Sequence, residues 1–431
     1  MQTSDRVDRA TASRPDDGDR DTTDWIDAAA GLGTGSPLRE IRQRRAKVVA
    51  ATQASLDVLL DPALPDLSLL ERCAVAVLSC VLTPAPTLAV RYRSALARAG
   101  ADAELEAAIA SGDPTRTDEP RLRAILTFTR TLIERPVDGD RAALLALPRA
   151  GLTTPAVVAL AQWIAFLSYQ ARVVAGLKAM DSPAAAADSA ITNRSLPGTA
   201  GPPPDRSPPG RSPPTTGPAT ATAPATATAT AQPPGGIVRA HGFTNEALEW
   251  SAWLDPVALE SASAGQIAVL EESHPKAKVS DYYRLLVHQP RVLRERSTAF
   301  NAIMYAPGGL SRAERELAAT VVSRVNGCVY CASVHAQRFE QLARRQDVIA
   351  EVFEDPDGAG SDARERAIVR FSIELTRAPD RSTVDAIAAL HAVGLDDGQV
   401  LDLIHVIAVF AWANRLMLNL GEPIFPEGAK P

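Results

Sequence analysis

The chain has 431 residues, is 46% hydrophobic but only 5% aromatic, and carries a formal net charge of −6. Its length allows roughly two to four domains of about 100–200 residues, and its Ala/Leu/Val/Arg-rich mix favours packed helices over sheets. The acidic balance gives no electrostatic basis for nucleic-acid binding, four cysteines are too few for a disulfide scaffold, and no uninterrupted apolar run of about 18 residues predicts a membrane span.

In chain order, residues 1–35 open with "MQTSDRVDRATASRPDDGDRD", a polar stretch expected to be disordered. It lacks the apolar core of a secretory signal, so a cytoplasmic protein is expected. A first helical domain is predicted over residues 36–181. Within it, the run "RQRRAK" from Arg42 to Lys47 reads as a solvated helix face. Residues 182–236 include "GPPPDRSPPGRSPP", which has almost no large apolar side chain to offset ordering entropy, and are expected to form a disordered tether. A second helical domain is predicted over residues 237–431. There "SDYYRLLVHQPRVLRERSTAFNAIM" predicts two helices broken at Pro290. "SRAERELAATVVSRV" opens on a capping box of Ser311 and Glu314 and is stopped by Asn326-Gly327. A further helix starts near Cys328. His391 reads as a surface cap at the end of the helix before Gly394. The last stretch, "DDGQVLDLIHVIAVFAWANRLMLNLG", predicts a buried central helix, with His405, Phe410 and Trp412 in the core. His241, His274 and His288 show no ligand spacing.

The halves repeat. Glu71 in "LSLLERCAVAV" matches Glu314 in "LSRAERELAAT", an offset of 314 − 71 = 243 positions. The same offset, without a gap, carries Arg121 onto Arg364, Phe128 onto Phe371, Pro136 onto Pro379, Gly151 onto Gly394 and Arg172 onto Arg415. A duplicated domain follows, rather than a short-period solenoid.

Chemistry concentrates in "NGCVYCASVH", Asn326 to His335. Cys328, Cys331 and His335 share one helix face by spacing. Both thiols fall in the first turn, where free N–H groups and the positive helix end favour a thiolate, and the imidazole can exchange its proton. Such a pair can also close a disulfide after oxidation, the outline of a thiol peroxidase or disulfide reductase. Zinc held by Cys328, Cys331, His335 and Glu316 is the chemical rival, although no second tight ligand pair accompanies the first. Two small buried hydrophobes are the bland reading.

With Glu316 added, the pattern Glu-x11-Cys-x2-Cys-x3-His resembles the signature of the alkyl hydroperoxidase D family, within the carboxymuconolactone decarboxylase-like superfamily. "DYYRLLVHQPRVLRERSTAFNAIM" and the "NRL" of Asn414 to Leu416 look like its peroxidase-related branch. The resemblance implies an all-α, usually oligomeric and often trimeric protein. It implies Cys331 as peroxidatic thiol, Cys328 as resolving thiol, and Glu316 and His335 as a proton relay. No bound cofactor or metal is implied; hydroperoxide is the substrate, and a lipoyl-carrier or thioredoxin-type dithiol the donor. Helix-start electrostatics alone would activate Cys328 at least as well. Well-studied members carry a His directly before the second cysteine, where this chain has Tyr330. In the first half, the offset turns Glu316, Cys328, Cys331 and His335 into Cys73, Ala85, Leu88 and Tyr92. Cys73 and Cys80 are separated by about 10 Å along one helix and offer no substitute. The first domain is therefore expected to be catalytically degenerate. Two other readings stay open for the whole: a lactone-processing decarboxylase, and a non-catalytic redox-sensing or assembly protein.

Overall fold

The structure, a computed structural model, describes residues 24–181 and 236–427. The expected tether over 182–235 and the first 23 residues lie outside the described residues. The fold is all-α with two short antiparallel strand pairs. The first half runs α1 (Trp25–Ala30), α2 (Pro37–Gln43), α3 (Ala46–Leu60), α4 (Leu69–Leu82), α5 (Pro86–Arg98), α6 (Ala103–Ala110), α7 (Pro120–Glu134), α8 (Arg141–Arg149) and α9 (Thr154–Met180). In the second half, β1 (Arg239–Ala240), β2 (Phe243–Thr244), β3 (Glu249–Ala252), α10 (Ala264–Ser273) and α11 (Asp281–Leu286) come first. Then follow α12 (Pro290–Tyr305), α13 (Arg312–Asn326), α14 (Val329–Ala343), α15 (Asp347–Glu354), α16 (Ala363–Arg377), α17 (Val384–Ala392), α18 (Asp397–Asn419) and β4 (Gly421–Ile424), which pairs antiparallel with β3.

From α3 onward every helix has a partner about 243 positions later, and the α7/α16 and α8/α17 boundaries coincide at that offset. Local devices repeat too. Ser68 with Glu71 and Ser311 with Glu314 both form capping boxes. Glu71 pairs with Arg121 at 2.7 Å, and Glu314 with Arg364 at 2.5 Å. Each pair ties the start of one helix to the start of another in the same half.

The halves pack on each other through α9 against α18 and α3 against α12. Both long helices are apolar enough by length and composition to cross a membrane, which the sequence reading did not anticipate; each window is wholly buried inside the fold. Their crossing is close at Gly176, where a Cβ would meet the Ile404 side chain at 2.8 Å. Polar bonds across it are reciprocal. Trp412 donates Nε1 to Gln162 Oε1 at 3.0 Å, while Tyr169 Oη meets His405 Nδ1 at 3.3 Å. Arg172 donates to Thr376 O at 2.6 Å, and Arg415 to Ile133 O at 3.3 Å. In each couple the donor and acceptor positions swap halves at the same offset, so a pseudo-two-fold axis relates the two domains.

Three expectations are corrected. Order begins before residue 36, because Asp24 caps α1 and the buried Asp27 pairs with Arg42 at 2.7 Å. "RQRRAK" is a solvated face only in part: Gln43, Arg44, Ala46 and Lys47 are exposed, but its other two arginines turn inward. Arg42 is fully buried by that pair, and Arg45 reaches Asp402 of the other half, bonding Oδ1 at 2.7 Å and Oδ2 at 2.5 Å. His391 is buried, with Nδ1 against Leu395 O at 2.8 Å, rather than on the surface.

His405 is core, as expected, but only half satisfied: its Nε2 is buried without a partner. Burial, followed by Arg42 and Arg45, drives its pKa down to about 3. The native state thus refuses a proton that an unfolded histidine binds below about pH 6.5. Stability should fall as pH drops from about 6.5 towards 3, by up to about 1.4 kcal/mol per unit. His405→Gln, which copies Gln162 at the paired position, should remove most of that slope in urea unfolding between pH 7 and 5. An unchanged slope would acquit His405.

Candidate active site

The cysteine pair is placed by a helix stop. Asn326 ends α13, and Gly327 takes the left-handed conformation at φ +79°. Its N–H bonds Arg324 O at 3.2 Å, and the Cys328 N–H bonds Ser323 O at 2.8 Å, closing the helix end in the way that glycine permits. A side chain at 327 would also strike Val137 of the first half, whose Cγ2 lies 2.9 Å from an ideal Cβ. Cys328 is then the N-cap residue of α14, and Cys331 lies in that helix's first turn.

Folding back at Gly327 packs α14 on α13 and brings Glu316 to His335, with Oε2 2.5 Å from Nδ1. The other oxygen, Oε1, accepts from Arg312 Nε at 2.6 Å. Burial alone would raise the Glu316 carboxyl, but the His335 and Arg312 charges and hydrogen bonds outweigh it and hold the group below its ordinary value. Arg312 in turn lies 4.1 Å over the Tyr305 ring. His335 is pinned from its other side by the Phe410 ring, edge-on at 4.4 Å.

Both thiols are reduced and buried, Cys328 at 1% and Cys331 at 5% exposure. Burial, then its hydrogen bond and proximity to Cys331, push the Cys328 thiol well up; the Cys331 backbone N–H and the Asn414 side chain oppose that only in part. Burial thus works against a Cys328 thiolate, opposite to what its place at the helix start favours. Tyr330 is pushed up to about 12 by burial and then by Cys331, so its hydroxyl keeps its proton. The structure thus brings Glu316 to His335 and Cys328 to Cys331, with Cys331 and His335 one turn apart along α14.

Two contributors escaped the sequence reading of roles. Asn414, from α18, accepts from Asn326 Nδ2 and donates to Ser323 Oγ, both at 3.0 Å, fastening the turn beneath Cys328. Its place in "NRL" was the available signal. Arg296 lies over Tyr282 at 5.5 Å and over Phe300 at 5.0 Å, part of an aromatic cover that includes Trp250 and reaches Phe410. Nothing in its spacing announced that. Among the described residues, no three His, Cys, Asp or Glu side chains converge as metal ligands. Cavities of about 570 and 290 Å3 lie elsewhere and are not lined by Cys331.

In the first half the same frame holds a plug. Tyr92, at the His335 position, donates to Gln170 Oε1 at 2.5 Å and packs on Trp25 of α1 at 5.5 Å.

Residues 290–374, which contain Glu316, both thiols and His335, match the carboxymuconolactone decarboxylase family. The second half resembles that family over this stretch. Two solved structures are similar to the chain. One is the alkylhydroperoxidase AhpD core, an uncharacterized peroxidase-related protein from Ralstonia eutropha JMP134, with 24% identity and a TM-score of 0.34 over 38% of this chain and 86% of that one. The other is an uncharacterized peroxidase-related protein from Silicibacter sp. TM1040, with 26% identity and a TM-score of 0.30 over 38% and 83%. No curated protein matches the sequence.

Because the Glu316 carboxyl is depressed in the folded state, its contribution to stability is complete above about pH 4.5 and is lost as pH falls through the lowered value. Glu316→Gln should flatten the acid limb of the stability curve below pH 4.5, read by circular dichroism. It should also cost about 3 kcal/mol at pH 7, the usual penalty for breaking a buried ion pair.

Proposed function

We propose that the second domain reduces hydroperoxides with its thiol pair. The Cys331 thiolate attacks the terminal peroxide oxygen, the O–O bond breaks, and the alcohol departs with a proton delivered through His335. Cys331 is left as a sulfenic acid. The Cys328 thiol then attacks that sulfur, water leaves, and a Cys328–Cys331 disulfide remains. An external dithiol of lipoyl-carrier or thioredoxin type returns two electrons and two protons by exchange.

The observation that carries this reading is the Glu316–His335 contact at 2.5 Å. It engages Nδ1 and leaves Nε2 as the nitrogen for proton exchange, on the helix that presents Cys331 one turn earlier. A protonated, buried Cys328 suits the resolving step, which needs a thiol that waits.

Near-burial of Cys331 adds an opening step, so access should favour small peroxides. Steady-state turnover with a regenerating dithiol should run at least about tenfold faster on hydrogen peroxide than on cumene hydroperoxide, about 1.4 kcal/mol in barrier. Equal rates would remove the access argument.

Mass spectrometry after one equivalent of peroxide is the central test. Loss of two hydrogens from the peptide holding Cys328 and Cys331 is expected. Cys331→Ser should abolish turnover, and Cys328→Ser should stop at the sulfenic acid. Turnover surviving in Cys331→Ser would overturn the proposal. The burial of both thiols favours one second reading, a redox reporter that oxidises without turnover. Disulfide formation without sustained peroxide consumption identifies it.

A further inference from the structure

The cavity of about 570 Å3 lies where the two halves meet. Its wall repeats at the 243-position offset: Thr83 with Asn326, Ile133 with Thr376, and Arg172 with Arg415. It therefore straddles the pseudo-two-fold axis.

Two guanidinium groups face each other across that axis. Arg172 is 4% exposed and Arg415 2%, and burial followed by Arg172 lowers the pKa of Arg415. Both remain cations at neutral pH. Arg172 donates to Ser168 O at 3.0 Å and Thr376 O at 2.6 Å. Arg415 donates to Leu132 O at 2.9 Å, Ala411 O at 3.0 Å and Ile133 O at 3.3 Å. Every one of these acceptors is a backbone carbonyl. Arg172 Nε is buried without any partner.

A purely structural role explains part of this. Thr376 sits at the C-terminal end of α16 and Ile133 at that of α7, and each helix end carries about half a negative charge. Two such ends offset about one of the two buried charges. On the exposed rim, Arg135 pairs with Asp138, Arg377 with Asp357 and Glu134 with Arg130, which leaves the exposed Asp380 carboxylate facing solvent. About one positive charge remains at the buried end of the cavity, beside an arginine with one unpartnered N–H, and a buried polar group without a partner is costly.

We infer that this inter-domain cavity binds a small oxyanion, a carboxylate or phosphate group, with the paired Arg172 and Arg415 guanidinium groups as its charged anchors. Thiol chemistry at Cys331 does not require the cavity, so the two assignments stand or fall separately.

The full chain is titrated with succinate and, separately, with inorganic phosphate, at constant ionic strength held with chloride, by calorimetry and thermal unfolding. At least one anion should saturate at one per chain and raise Tm. Tighter succinate binding assigns a carboxylate ligand, and tighter phosphate binding a phosphoryl one. Arg172→Gln should weaken binding about tenfold or more, the worth of one charged hydrogen bond. Thr83→Glu, which leaves both arginines intact and supplies a carboxylate from the wall, should abolish binding and raise Tm without added anion. Saturation by neither anion, or wild-type binding by Thr83→Glu, overturns the inference, and the latter holds even if Arg172→Gln fails to fold.

Discussion

Two apolar helices that cannot face water hold the molecule together by covering each other. Neither α9 nor α18 has a polar side wide enough to stand on a surface, so each half alone would expose a large apolar stripe. Crossing at Gly176 removes both stripes at once. Polar atoms trapped in the crossing are answered mainly across it, by Gln162 for Trp412 and by Tyr169 for His405. At its edge Asp402 accepts from Arg45 of one half and Arg315 of the other. A carboxylate between two guanidinium groups fixes the relative setting of the domains more tightly than apolar contact, which tolerates sliding.

That frame fixes the candidate site only in outline; side chains decide the chemistry. Both halves place a helix stop and a helix start at matched positions. In one, the buried space receives a carboxylate, an imidazole and two thiols. In the other it receives Cys73, Leu88 and Tyr92, and α1 drops Trp25 on top. Burial is similar in both, but a buried carboxylate persists as an anion only where cations answer it, and Arg312 and His335 supply those beside Glu316. Cys73 has its thiol pushed up by burial, which Arg72 and Arg98 offset only in part.

The repeat and the helical order were legible because offsets, caps and helix stops are local patterns that survive in one dimension. The pairing of Glu316 with His335 and of Cys328 with Cys331 was legible for the same reason: one turn and two helices join them. What stayed hidden depends on partners far along the chain. Arg45 meets Asp402 across 357 positions, so "RQRRAK" offered only its charge, and charge alone reads as surface. The order of Trp25–Ala30 was hidden because a polar neighbourhood says nothing of the buried Arg42 that waits for Asp27. Asn414 resembled a family motif, but its role beneath Cys328 needed α18 to be laid against the Gly327 turn. The half-satisfied state of His405 is likewise a property of the crossing and not of its own helix.

Covalent continuity between the halves has an evolutionary consequence. In a symmetric pair of identical subunits every substitution is made twice, so a residue on the shared axis confronts its own copy and asymmetric solutions are barred. Here Thr83 and Asn326 hold equivalent positions, as do Ile133 and Thr376, each free to diverge from its counterpart. One polypeptide can therefore specialise one lobe for reactivity while the other drifts towards rigidity, with the mating surface kept at fixed stoichiometry however dilute the protein becomes.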